Sequence, residues 1–139
     1  MSKKLLFLVF LVSFLGLPVF SEHVNGVSIS VERNMFGVRY VLVTWEQVPG
    51  ATSYQINLIA PTKGWTGYPF GWKEWITISS KTVSGTTTSV MFTDGFRDLK
   101  DSNGRTRQYS AHVEAKKSGV TPIGWGGTRT LIDPTPLFQ

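Results

Sequence analysis

The stretch Val41 to Ala60, VLVTWEQVPGATSYQINLIA, decides the fold class. Val41, Val43 and Trp45 fall on one side of an extended chain, and Leu42 and Thr44 on the other. Pro49-Gly50 then breaks the run. Tyr54, Ile56 and Leu58 resume the same alternation. A period of two built from β-branched and aromatic residues marks a half-buried antiparallel strand. Two such strands, joined through a Pro/Gly turn and each carrying a large ring, place indole and phenol inside a sheet-on-sheet core. They do not form a catalytic cleft.

Working outward, no long segment has helical periodicity, and Gly, Pro, Ser, Thr and Asn interrupt the chain at short intervals. Seven strands are expected: Val27 to Val31, Tyr40 to Trp45, Tyr54 to Ile59, Trp75 to Ser80, Thr88 to Thr93, Tyr109 to Lys116 and Thr128 to Ile132. Val90 and Phe92 share one face of the fifth strand. Tyr109, Ala111, Val113 and Ala115 share one face of the sixth. Asp133-Pro134-Thr135-Pro136 ends the seventh, because proline cannot donate to a β-ladder. Seven short strands with regular turns predict two packed antiparallel sheets.

The first 21 residues are set apart from this pattern. Lys3 and Lys4 precede an apolar run from Leu5 to Leu17, Pro18 breaks it, and Val19-Phe20-Ser21 offers a cleavage site. The reading is a signal peptide over residues 1–21, cut before Glu22, with an uncleaved N-terminal anchor as the alternative. The run is shorter than the roughly 20 residues of an ordinary membrane span, so no stable span is expected after cleavage. The product is expected to be exported: secreted, periplasmic or at the cell surface.

The whole chain of 139 residues carries a formal charge of +5. Without Lys3 and Lys4, twelve basic side chains face nine acidic ones, a net of +3 over 118 residues. These charges are scattered, with Arg105, Arg107, Lys116 and Lys117 the nearest to a cluster. A nucleic-acid partner needs a dense basic face, so that class is set aside. The chain has no Cys. Disulfides therefore cannot hold an exported product together, and the apolar core must do so alone. Five Trp, four Tyr and nine Phe supply much of its area, although Phe7, Phe10, Phe14 and Phe20 lie in the leader.

Over roughly residues 24–133 the chain resembles a fibronectin type III domain. The residues that carry the resemblance are Trp45, the linker Val48-Pro49-Gly50-Ala51-Thr52-Ser53, Tyr54-Gln55-Ile56-Asn57-Leu58 and Tyr109-Ser110-Ala111-His112-Val113-Glu114-Ala115, followed by Ser118-Gly119. The resemblance implies a seven-stranded, antiparallel, immunoglobulin-like β-sandwich over residues 22–133, with 134–139 as a C-terminal tail. It implies a core built on Trp45, Tyr54, Ile56, Val90, Phe92, Tyr109 and Val113. Tyr109 would be the tyrosine-corner residue, its hydroxyl bonded to upstream backbone. Leu99 or Phe96 would fill the apolar position that precedes it. The Arg-Gly-Asp adhesive tripeptide of some members is absent from this sequence.

No constellation for catalysis emerges. His23 is expected near a mobile N-terminus and His112 on an exposed strand face, and neither has a neighbour at metal-ligand spacing. Nucleophile elbow, zincin, phosphate-loop and dinucleotide motifs are missing. The loop Asp94 to Gly104 is rich in oxygen donors but fails the EF-hand frame, with Leu99 and Ser110 falling at ligand positions. It reads as a polar loop turning at Asn103-Gly104. No metal and no cofactor is expected.

The outlier is residues 64–75, GWTGYPFGWKEW, with five rings in twelve residues. One reading folds it over a sheet with Trp75 and Phe70 in the core. The sharper one leaves Trp65, Tyr68 and Trp72 exposed as a binding surface, with Trp125 as an extension. The expected function is a non-catalytic binding module with a protein partner. A carbohydrate-binding module and a structural subunit of a cell-envelope assembly are the alternatives. Coplanar rings beside Asp, Asn or Gln would favour sugar; a contiguous apolar patch would favour protein.

Overall fold

A computed structural model describes residues 22–61, 75–101, 103–118, 121–128 and 131–138. The expected signal peptide lies outside the described residues, as do Trp65, Tyr68, Phe70 and Trp72.

The described chain is all-β: β1 (Glu22–His23), β2 (Ser28–Arg33), β3 (Arg39–Thr44), β4 (Ser53–Pro61), β5 (Trp75–Ser84), β6 (Ser89–Phe92), β7 (Ser110–Lys117) and β8 (Thr121–Gly127). One sheet has the order β2-β3-β6. The other runs β1-β8-β7-β4-β5. All pairings are antiparallel except the two-residue β1, which lies parallel to β8. One hydrophobic cluster draws on both sheets, so they pack face to face in the manner of a β-sandwich.

Strand parity builds that core. Val41 and Val43 on β3 pair with Phe92 and Val90 on β6, and all four are buried. Ile56 and Leu58 on β4 pair with Val113 and Ala111 on β7 and are fully buried. Trp45 packs on Tyr54 with ring centroids 5.3 Å apart and planes tilted by 56°. Both rings are buried, and among the described residues the Trp45 indole nitrogen has no hydrogen-bond partner. The Tyr54 hydroxyl accepts the Val48 N–H at 2.8 Å and so closes the β3–β4 connection. At the other end of the sheets the Tyr109 hydroxyl accepts the Arg97 N–H at 2.9 Å and donates to the Arg97 carbonyl. Phe96 lies against the Tyr109 ring at 6.5 Å, and Leu99 also packs on the core.

The expectations for the last strand and for His23 need correction. The last strand occupies Thr121–Gly127 rather than Thr128 to Ile132. Among the described residues, pairing beyond it includes the Thr128 N–H to Ala111 bond and a Tyr109–Ile132 bridge. Gly126 is needed inside this strand: a Cβ there would sit 2.1 Å from the Val24 carbonyl oxygen. Residues 134–138 lie against the domain. Pro134 is buried, Thr135–Phe138 form a 3₁₀ turn, and Arg39 Nη1 donates to the Pro136 carbonyl at 3.0 Å. Finally, His23 is part of β1, paired with Trp125, rather than a mobile end.

Candidate functional site

Of the rings singled out in the sequence, Trp75 and Trp125 are described. Trp75 is not in the core: it is 39% exposed at the first position of β5, an edge strand. The reason is parity. Ile76 and Ile78 face inward, so Trp75 and Thr77 face solvent. Trp125 is 51% exposed. The structure does not bring the two together. Strands β7 and β4 separate β8 from β5, and Trp75 pairs with Pro61 while Trp125 pairs with Glu114.

Trp125 belongs to a polar row that begins with His23 on β1. The buried Gly124 and Gly126 on either side direct it outward. Across the sheet its row continues through Glu114 on β7, Gln55 on β4 and Thr82 on β5. The next row holds Gly127, His112, Asn57 and Ser80. These side chains are partly organised. Lys116 Nζ donates to Gln55 Oε1 at 2.8 Å and lies 4.0 Å from Glu114 Oε1, and Ser80 Oγ donates to Asn57 Oδ1 at 2.7 Å. His112 is half-buried between its neighbours rather than exposed. Burial holds its imidazole below the ordinary value, and the opposing pull of Glu114 is the smaller effect. An indole beside amides and one carboxylate can stack and hydrogen-bond. Glu114 is the carboxylate that the residues of these two rows supply.

The carboxylates of the Asp94 to Gly104 loop are used within the loop. Asp101 Oδ1 accepts the Asn103 and Arg105 N–H groups at 2.8 and 2.9 Å, and Gly104 completes the turn with φ +76°. Asp98 pairs with Lys100 at 3.1 Å and accepts from Thr106 at 3.0 Å. The Arg105 N–H bond is the main reason that Asp101 stays below the usual carboxylate range, and the Lys100 contact is the main reason for Asp98. Among the described residues no three acidic or imidazole side chains converge as a metal set.

A further exposed apolar feature was missed in the sequence. The β2–β3 hairpin turns through Asn34-Met35-Phe36-Gly37-Val38, and Met35 and Phe36 are 90% and 83% exposed. Asn34 Oδ1 accepts the N–H groups of Phe36 and Val38 at 2.9 and 3.0 Å. Gly37 takes φ +79°, a left-handed conformation that a Cβ disfavours. Behind the tip, Arg33 pairs across the hairpin with Arg39. An open cleft of about 600 Å³ lies beside it, lined by Arg33, Val38, Arg39, Phe96 and Leu137 among others. The signal was legible: two large apolar residues occupy the middle of a turn, where Asn, Gly or Ser suffices.

Compared with protein-family models and with curated proteins, the chain matches none.

Proposed function

We propose that this chain is an exported, non-catalytic binding module of fibronectin type III character that recognises a protein partner through exposed aromatic side chains. The fold part of this reading is supported by the strand order, with three strands facing a sheet in which β5 joins β4. It is also supported by the Trp45–Tyr54 contact and by the Tyr109 hydroxyl tied to Arg97. The observation that carries the binding part is Trp125. Trp125 stands half in solvent in mid-strand and outside the core cluster, and Trp is over-represented among residues that dominate interface energies.

Capture from the native envelope tests it. Wild-type chain should retain a defined protein that Trp125→Ala loses, with both proteins melting alike. Equal capture by the two removes Trp125 from the interface. The polar rows beside Trp125 favour a second reading, a carbohydrate ligand stacked on the indole and hydrogen-bonded by Glu114, Gln55 and Asn57. Titration calorimetry with soluble oligosaccharides separates the two. Heat that disappears in both Trp125→Ala and Glu114→Gln supports the sugar.

A further inference from the structure

We propose that the β2–β3 hairpin tip is a docking element for an anionic bilayer surface. Met35 and Phe36 enter the boundary between headgroups and acyl chains, and Arg33 and Arg39 meet the lipid phosphates. This lies beyond the protein-binding reading and does not rest on Trp125, which sits on the other sheet.

Three observations carry it. First, the apolar side chains stand almost wholly in water, at 90% and 83% exposure, on a turn that is locked rather than loose. Besides the two bonds to Asn34 Oδ1, the Asn34 N–H donates to the Val38 carbonyl at 2.9 Å and the Gly37 N–H to the Asn34 carbonyl at 3.0 Å. Insertion therefore costs little further ordering of the loop. Second, the charge behind the tip is complementary to phosphate. Arg33 and Arg39 face each other across the hairpin, and among the described residues Arg39 commits one donor, to Pro136. The nearest carboxylate on these strands, Glu32, is one residue further from the tip and is engaged by Ser30 Oγ at 2.9 Å. Third, the exposed apolar area of the tip is small for a protein interface. Met35 and Phe36 alone do not supply the roughly 800 Å² per partner of a standard complex. An apolar group entering about 5–10 Å below the headgroups, with basic groups at their level, is the usual geometry of interfacial binding. Such a small tip gives weak, reversible binding that depends on anionic lipid.

Because the chain has no Cys, Met35→Cys creates a unique attachment point for an environment-sensitive fluorophore. Gln47→Cys, exposed at the opposite end of β3, is the control. The labelled full chains are mixed with vesicles of phosphatidylcholine, with and without phosphatidylglycerol. The probe at 35 should shift to the blue and brighten with phosphatidylglycerol vesicles, and much less with phosphatidylcholine alone. The probe at 47 should not respond. In the labelled background Phe36→Ser should lower partitioning at least about tenfold. Arg33→Glu should lower it about fivefold or more on the anionic vesicles only. Neither change touches a buried group, and unchanged melting curves establish that. The proposal is overturned by a silent probe at 35, by equal shifts at 35 and 47, by undiminished partitioning of Phe36→Ser, or by a lipid-free shift on adding unlabelled chain, which would make a second copy the occupant.

Discussion

Replacing Tyr109 by Phe removes one oxygen atom and isolates what the buried phenol contributes. The ring is fully buried and its contact with Phe96 survives the change. Two bonds are lost, one accepted from the Arg97 N–H and one donated to the Arg97 carbonyl. At a net ~0.5–1.5 kcal/mol each, the expected loss is about 1–3 kcal/mol. Arg97 itself is exposed, so water reaches the orphaned groups and draws the value toward the lower half of that range. For a domain of this size, 1 kcal/mol corresponds to about 4 °C in melting temperature, so a fall of about 4–8 °C is expected. Urea unfolding gives the free energy, and amide hydrogen exchange gives the location: the Arg97 N–H should lose protection in Tyr109→Phe while β3, β4 and β7 keep theirs. The phenol adds a pH signature. Burial, the larger influence, raises its pKa above the ordinary 10.0 against the bond from Arg97. A raised value in the folded state means that the associated stability is intact below pH ~10 and is lost as pH climbs through the folded value. The wild-type advantage over Tyr109→Phe should therefore shrink in strong alkali. A melting temperature within a degree of wild type, or an unchanged Arg97 amide, refutes the assignment of this hydroxyl as the clamp of the β6–β7 connection.

Trp45→Ala should cost about 3–5 kcal/mol by urea unfolding, a large share of the ~5–15 kcal/mol a domain has. Trp45→Phe should cost well under that, because among the described residues the indole N–H has no partner and no hydrogen bond is given up. His112 is held below its ordinary value by burial, so the stability tied to its neutral form is complete above pH ~6.5 and drains away as pH falls through the lower folded value. His112→Gln should flatten the stability profile between neutrality and about pH 5, and an unchanged slope would show that the imidazole is not desolvated. Gly126→Ala forces a methyl group to 2.1 Å from the Val24 carbonyl oxygen. It should detach β1, expose Val24 at a cost of roughly 1.5–3 kcal/mol and deprotect the Val24 N–H, which bonds the Trp125 carbonyl at 3.2 Å; a protected Val24 amide in the variant would contradict this.

Period-two patterning made the interior legible residue by residue. Tyr54, Ile56 and Leu58 alternate in the sequence and are all fully buried; Val90 and Phe92 do the same on β6. Trp75 shows the same rule overlooked. Ile76 and Ile78 already assigned the inward face, which leaves Trp75 outward, and aromatic character alone argued it into the core. The last strand was misplaced because glycine reads as a turn. Gly126 serves instead as the flat site against which Val24 lies, a long-range contact that no local pattern encodes. The hairpin tip carries a different signal: Met35 and Phe36, two large apolar residues, fill a turn that Asn34 and Gly37 already define.

Without disulfides, the ends of this sandwich are closed by phenols. Tyr54 pins Val48 where β3 leaves toward β4, and Tyr109 pins Arg97 where β6 leaves toward β7. Val41 pairs with Phe92, so the second connection emerges beside the β2–β3 hairpin and the first at the far end. One buried oxygen therefore fixes each end, from a ring whose body also fills the core. This doubling places an exposed turn such as Asn34 to Val38 on a rigid support, since its two strands are held by core contacts on β3 and by Arg39 against the 3₁₀ turn. A site displayed on such a support binds without the ordering cost that a free loop would add. The consequence is separable: loosening the Tyr109 clamp should weaken events at the hairpin end more than those at Trp125, whose strand position is set by pairing with β7 and β1.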